Sequence, residues 1–328
     1  MLYSVSFSLL LWYYTLESFE YMEDTNMTMK KIVLPEGDSE RVLSAVQGLL
    51  NQGVCHPILI GDEAKISAEI EATPQSYTVI APDSSELDQL KASAIGRGKT
   101  FPVKDEYIAQ CIAQGAALVR DGRADGIVSG ANTATDEVFR IYVKTIPVRE
   151  DVSRATDCFL MEKEHDRFIL AGGGLNVESD TQQLAEMAYL AAKFAKTVGI
   201  EPIVALISFQ TIGSAQHPSV QWISEAAKVA RETYGLKAAG PLQWDSARYP
   251  EVAARKTKDC DVAGNANVFV FPRLEAGNPM YKALEREAGF QATGPLFLGF
   301  VKPAYDLSRG CSTEDIINVV RMAVKHVA

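Results

Sequence analysis

From Lys30 onward the chain alternates short β-branched runs with longer segments that repeat apolar residues every three or four positions. The short runs are "KIVLPEG", "HPILIGD", "ADGIVSGA", "EPIVALISF", "KAAGPL", "ANVFVFP" and "ATGPLFLGF". The longer ones are "KDEYIAQCIAQGAALVRDG", "TQQLAEMAYLAAKFAKTVG", "PSVQWISEAAKVARETYG" and "STEDIINVVRMAVKHVA". Short strands interleaved with amphipathic helices are how parallel sheets covered by helices are written in sequence. The alternation predicts an α/β fold with mostly parallel, helix-covered sheets. The segment "IPVREDVS", residues 146–153, combines proline with charge and places a domain boundary near 148. Two adjacent runs follow it, "CFLMEK" and "RFILAGGG", joined by the polar "EHD" as in a hairpin.

At 328 residues and 47% hydrophobic composition the chain is long enough for about two domains with a large core. Forty-two acidic against 32 basic residues give a formal charge of −10, which repels nucleic acid and anionic membranes. An anionic small molecule therefore needs a locally basic pocket. The five cysteines, Cys55, Cys111, Cys158, Cys260 and Cys311, are scattered and odd in number, which fits reduced thiols in cytoplasm rather than a disulfide framework. His56, His165, His217 and His326 never fall at metal-ligand spacing, so no metal is expected. The opening "YSVSFSLLLWYYTL" lacks a basic n-region and a cleavage site and is too short to span a membrane. It stands apart from the periodic pattern.

Two glycine-bearing segments invite a nucleotide reading. "GRGKT" at 96–100 has Ser93 where a phosphate loop needs its first glycine, and reads as an exposed basic loop. "AGGGLNV" at 171–177 has three successive glycines instead of the dinucleotide spacing, and suits positive φ or close backbone approach.

Two other stretches carry candidate chemistry. In "ADGIVSGANTATDEVFR" a strand ends at Val128, a small turn through Ser129 and Gly130 follows, and a helix starts near Thr135. Such a crevice binds ligands in α/β proteins, and helix-start N–H groups favour anions. Arg140 lies five residues into that helix, facing either the crevice or solvent. "GPLFLGFVKPAYDLSRGCSTEDI" repeats the arrangement of strand, turn and helix. Ser312 and Asp315 fit a capping-box-like helix start. Capping does not account for Ser308 and Arg309, which precede it in a glycine-containing loop, where an arginine can hold phosphate or carboxylate through paired donors.

At these residues the chain resembles the phosphate acetyltransferase (phosphotransacetylase) family, which includes phosphate butyryltransferases. The similarity runs from Lys30 through "ADGIVSGA", "GPLQWDSA", "VAGNANVFVFPRLEAGNPMYKAL" and "KPAYDLSRGCSTEDI". It implies reversible acetyl transfer between acetyl phosphate and coenzyme A, by direct attack in a ternary complex, with no cofactor beyond these substrates. It also implies an isocitrate-dehydrogenase-like architecture of two α/β domains with the site between them. Residues 30–147 and 293–328 are expected to form one domain, 148–292 an inserted second, and 1–29 an extension outside the fold. A cytoplasmic homodimer, binding neither nucleic acid nor membrane, is expected.

By position, Asp315 matches the family's proposed base for the thiol, Ser308 and Arg309 the pair at the acyl phosphate, and Arg140 an arginine of the anionic site. Ser129, Gly130, Thr135, Tyr281 and Lys282 are the implied substrate-binding positions. An ordinary aspartate is a weak base for a thiol of pKa ~8.5, so tuning by burial or nearby cations is required. The chain departs from the family at Thr133, Ala134, Leu298 and Tyr305, around the expected acyl-phosphate pocket. A longer-acyl transferase and a silent acyl-CoA sensor are the competing expectations. A dehydrogenase of related architecture lacks its nucleotide fingerprint here.

Overall fold

The structure, a computed structural model, describes residues 29–327 apart from 74, 215, 216 and 258. The extension placed outside the fold thus lies, except for Met29, outside the described residues. Two sheets form. The first contains β1 (Lys31–Leu34), β2 (His56–Ile60), β3 (Thr78–Ile80), β4 (Gly126–Ser129) and β11 (Ala304–Asp306) in the order β11-β4-β1-β2-β3. All its pairings are parallel. The chain builds β1, β2 and β3 outward in one direction, then returns to lay β4 on the other side of β1. That reversal opens a crevice beyond the carboxyl ends of β1 and β4, the usual ligand position in an open α/β sheet.

Strand alternation decides which helix covers which face. Val33, Ile60 and Ile127 meet Ala109, Ile112, Ala113 and Ala116 of helix α4 (Glu106–Arg120). On the opposite face Ile32, Leu34, Leu59 and Val128 meet Val42, Ala45, Val46 and Leu49 of helix α1 (Glu40–Asn51). Ile316, Ile317 and Val320 of the last helix, α11 (Thr313–Val327), join the same cluster. Each fully buried Val, Leu or Ile among these contributes about 1.5–3 kcal/mol.

The second sheet contains β5 (Thr156–Lys163), β6 (Asp166–Ala171), β7 (Val204–Ile207), β8 (Ala238–Leu242), β9 (Val268–Val270) and β10 (Gln291–Leu298), in the order β10-β5-β6-β9-β7-β8. β5 and β6 form the expected hairpin, with Glu164 at φ 54° in its two-residue loop. β6, β9, β7 and β8 are parallel, while β10 runs antiparallel to β5. The fold class is α/β, as the sequence indicates.

The return point differs from the expected residue 293. β10 pairs with β5 from Gln291 to Leu298, so the chain leaves the second sheet only after Leu298. The two crossings then pair with each other: Arg149 N donates to Gly299 O at 2.9 Å and Val301 N to Pro147 O at 3.0 Å. A Gly-Pro inside "ATGPLFLGF" gave no reason in sequence to end the strand one way or the other.

The triple glycine serves close approach. Gly172 has φ +83°, and any side chain there would overlap the carbonyl oxygen of Phe271. Gly277, on helix α10 (Leu274–Arg286), packs its Cα against the Gly172 carbonyl with no room for a methyl group. Gly277→Ala is expected to lower stability by about 1–3 kcal/mol through overpacking, read as a lower urea midpoint with unchanged slope.

Candidate active site

A cavity of about 660 Å³ lies between the two sheets, and residues from both halves form its wall. Thr135, Ser308, Arg309 and Gly310 come from the first-sheet side; Gly174, Asn278, Tyr281, Lys282, Glu285 and Arg286 come from the second. Three cations, Lys282, Arg286 and Arg309, share the wall with one carboxylate, Glu285. This is the locally basic pocket that an acidic protein needs to hold an anion. Arg286 and Glu285 are 3.4 Å apart.

One helix face supplies the charged part of the second-half wall. Asn278, Tyr281, Lys282, Glu285 and Arg286 recur at three- and four-residue spacing on α10, which brings them to the same side. Tyr281 stacks on Phe159 with ring centroids 4.0 Å apart, and the Lys282 ammonium lies 4.9 Å from the Tyr281 ring. Asn278 Nδ2 donates to Gly173 O at 2.9 Å, tying the helix to the glycine turn. Asn278 and Arg286 were not singled out in sequence, although their periodicity with Tyr281 and Lys282 was visible there.

Of the expected site residues, Ser308, Arg309, Thr135, Tyr281 and Lys282 line the cavity. Ser129 and Gly130 do not. Ser129 is 1% exposed, with Oγ 2.7 Å from the Tyr142 hydroxyl. The amide of Gly130 is already taken: Glu36, just past β1, accepts from the N–H groups of Gly130, Ala131 and Asn132 at 2.8, 2.7 and 2.8 Å. Thr133 Oγ1 adds a fourth bond to Glu36 at 3.1 Å. The anion attracted to this turn is thus part of the protein, and sequence alone did not identify Glu36 as its source.

Arg140 is also absent from the cavity wall. Its guanidinium donates to Pro102 O at 2.7 Å and to Asp136 at 3.0 Å. Asp315 closes a helix cap, its Oδ2 accepting from Ser312 N at 2.8 Å and Ser312 Oγ at 2.9 Å. Asp315 N donates back to Ser312 Oγ at 3.1 Å, completing a reciprocal box. Asp315 is half-buried and is not part of the cavity wall. Cys311 is buried, and burial pushes its thiol up.

The departures from the family pattern lie off the wall. Thr133 bonds Glu36, while Ala134 and Leu298 are buried. The Tyr305 hydroxyl sits 2.6 Å from Nδ1 of His326, whose pKa burial lowers to about 4, leaving that ring neutral at pH 7.

Two further buried acids flank the site. Asp157, at the start of β5, is 0% exposed and accepts from Gly173, Gly174 and Leu175 N–H groups at 3.1, 2.7 and 2.9 Å. Burial pushes its pKa up to about 6 against the pull of these bonds. Asp306, at the end of β11, is 0% exposed, and neither carboxylate oxygen is hydrogen-bonded. Burial pushes it well above the usual carboxylate range. The Thr135 hydroxyl is near enough to ease its ionisation without reaching hydrogen-bond geometry.

A profile of the phosphate acetyl/butaryl transferase family matches residues 19–324. The chain belongs to this family. The match starts at residue 19, so part of the segment expected to stand outside the fold falls within the family's span. The phosphate acetyltransferase of Staphylococcus aureus (strain Mu50 / ATCC 700699) is 40% identical over 301 residues, covering 88% of this chain and 92% of that protein. The phosphotransacetylase structure from Streptococcus pyogenes superposes with a TM-score of 0.80 at 36% identity, covering 91% of this chain and 94% of the other. The EutD phosphotransacetylase from Staphylococcus aureus gives a TM-score of 0.77 at 38% identity, covering 92% and 94%. This family member combines a basic cleft wall with the buried acids Glu36, Asp157 and Asp306. Among the described residues no helix is long and apolar enough to cross a membrane.

The Asp157 pKa carries a sign. The folded chain holds this proton more tightly than an exposed aspartate of ordinary value 3.8 does, so stability is fully present below about pH 4. It falls as pH rises toward about 6, by on the order of 3 kcal/mol. Urea midpoints measured from pH 4 to 7 are expected to lose this component of the slope in Asp157→Asn.

Proposed function

We propose that the protein is a phosphate acetyltransferase, moving an acetyl group reversibly between acetyl phosphate and coenzyme A. The observation that carries this reading is the pairing of Ser308 and Arg309 with Tyr281, Lys282 and Arg286 across one basic cavity. The sequence is 40% identical to a phosphate acetyltransferase over nearly its whole length. A longer-acyl transferase and a silent sensor draw no comparable support.

In the forward step the coenzyme A thiolate attacks the acetyl carbonyl carbon. A C–S bond forms, the C–O bond to phosphate breaks, and the electron pair leaves with phosphate. The thiol proton ends on phosphate, so no redox partner or resident cofactor enters the balance. Arg309 offers paired N–H donors to the phosphoryl oxygens and charge for the developing oxyanion. Ser308 offers a hydroxyl donor to the same carbonyl. Lys282 and Arg286 add charge from the facing wall.

Asp315 takes the thiol proton in this reading and passes it to the leaving phosphate, and Arg140 contributes to anion binding. Both need a side-chain rotation to reach substrate, since Oδ2 of Asp315 is held by Ser312 and Arg140 is held by Pro102 and Asp136. A cytoplasmic homodimer without nucleic-acid or membrane partners completes the proposal.

Thioester formation from coenzyme A and acetyl, propionyl or butyryl phosphate tests it. Acetyl phosphate is expected to be the preferred donor, and Arg309→Ala to lower kcat by about 10²–10³-fold with folding intact. Coenzyme A binding without turnover on any acyl phosphate would instead identify a sensor. Asp315→Asn is expected to lower kcat/KM by about 10²–10⁴-fold; an unchanged value would move the base elsewhere.

A further inference from the structure

Arg41 is the second residue of helix α1 and is absent from the cavity wall. Its guanidinium lies between the two loops that build the first-half side of the site. Nη1 donates to Cys311 O at 2.7 Å and Arg309 O at 3.2 Å, and lies 3.6 Å from Cys311 Sγ. Nη2 donates to Ala131 O at 2.6 Å and to Asn132 Oδ1 at 3.1 Å. One planar group therefore holds the loop after β4 and the loop after β11 at a fixed separation.

Few other contacts do this. The Ser308–Cys311 loop closes on itself through Cys311 N to Ser308 O at 2.9 Å and Gly310 N to Ser308 Oγ at 3.3 Å. Among the described residues, no other side chain from outside the loop bonds the Ser308–Cys311 backbone. The loop after β4 is held on its N–H side by Glu36, five residues before Arg41 in the same segment, and on its carbonyl side by Arg41. A single stretch, "EGDSER", thus fixes both faces of one loop and reaches across to the other.

We propose that Arg41 is a positioning residue for acyl transfer, setting where Ser308 and Arg309 point by holding the Arg309 and Cys311 carbonyls against the Ala131–Asn132 loop. This deepens the acetyltransferase reading and rests on it. The geometry demands a guanidinium: its fixed fork spans four acceptors, whereas a lysine ammonium is a point charge on a flexible stem. The effect is on orientation, so it falls on the chemical step more than on coenzyme A binding. A reacting group displaced by about 1 Å loses on the order of 10²-fold in rate.

Arg41→Lys and Arg41→Ala test it, assayed well below their measured unfolding temperatures. Both are expected to lower kcat by about 10- to 100-fold, with the KM for coenzyme A changed less than about threefold. Added guanidinium at low millimolar concentration is expected to restore part of the kcat of Arg41→Ala. A purely structural role predicts a lower unfolding temperature with wild-type kcat and no rescue, and that result overturns the inference. Should Arg41→Ala not fold, Arg41→Lys with wild-type kcat overturns it equally. If the wild type turns over no acyl phosphate, the acetyltransferase reading falls, and the positioning role is then read from inorganic phosphate affinity. Weaker phosphate binding by folded Arg41→Lys sustains it, and unchanged binding overturns it.

Discussion

A carboxylate moved out of water loses hydration that only well-placed donors replace. Glu36 receives four such donors, three consecutive amides and the Thr133 hydroxyl, all from the turn that follows β4. The turn would otherwise present unpaired amides at a helix start, and the glutamate would be a buried lone charge. Each removes the other's cost. Asp157 repeats the device in the second half, where three amides of the glycine turn converge on one buried carboxylate. The two halves therefore hold a loop by the same means, an acid near a strand end capturing the amides of a neighbouring loop.

Asp306 breaks that pattern. It stands beside Gly130, whose φ of +103° and lack of a side chain make room for it, yet neither of its oxygens completes a hydrogen bond. Burial and the neighbouring Glu36 favour its protonated form.

The fold was legible because its signal is long and periodic: strand and helix runs kept their order from Lys30 to the last helix. Ser308, Arg309, Tyr281 and Lys282 were legible through resemblance, and they meet in one cavity. What escaped the sequence was pairing at a distance. Nothing in "KIVLPEG" tells that Glu36 will occupy the amides of Gly130, 94 positions on. Nor does Arg41 announce a partner 270 positions away in Cys311. Arg140 reads as an anion ligand in a helix beside the crevice, but here it bonds its i,i+4 partner Asp136 and the Pro102 carbonyl. The return at 293 was misplaced because β10 looks alike whichever sheet receives it.

The ribbon joining the halves has a topological consequence. Residues 150–298 leave and re-enter through neighbouring positions, Arg149 against Gly299 and Pro147 against Val301. The whole second half is therefore a loop with adjoining ends, and the first sheet can accept it without stretching any strand spacing. The first sheet, in turn, lacks its β11 edge strand until that loop has been synthesised. Because Ser308 and Arg309 follow β11 directly, their loop emerges only after the whole second half, and it meets an Arg41 and a Glu36 made long before it.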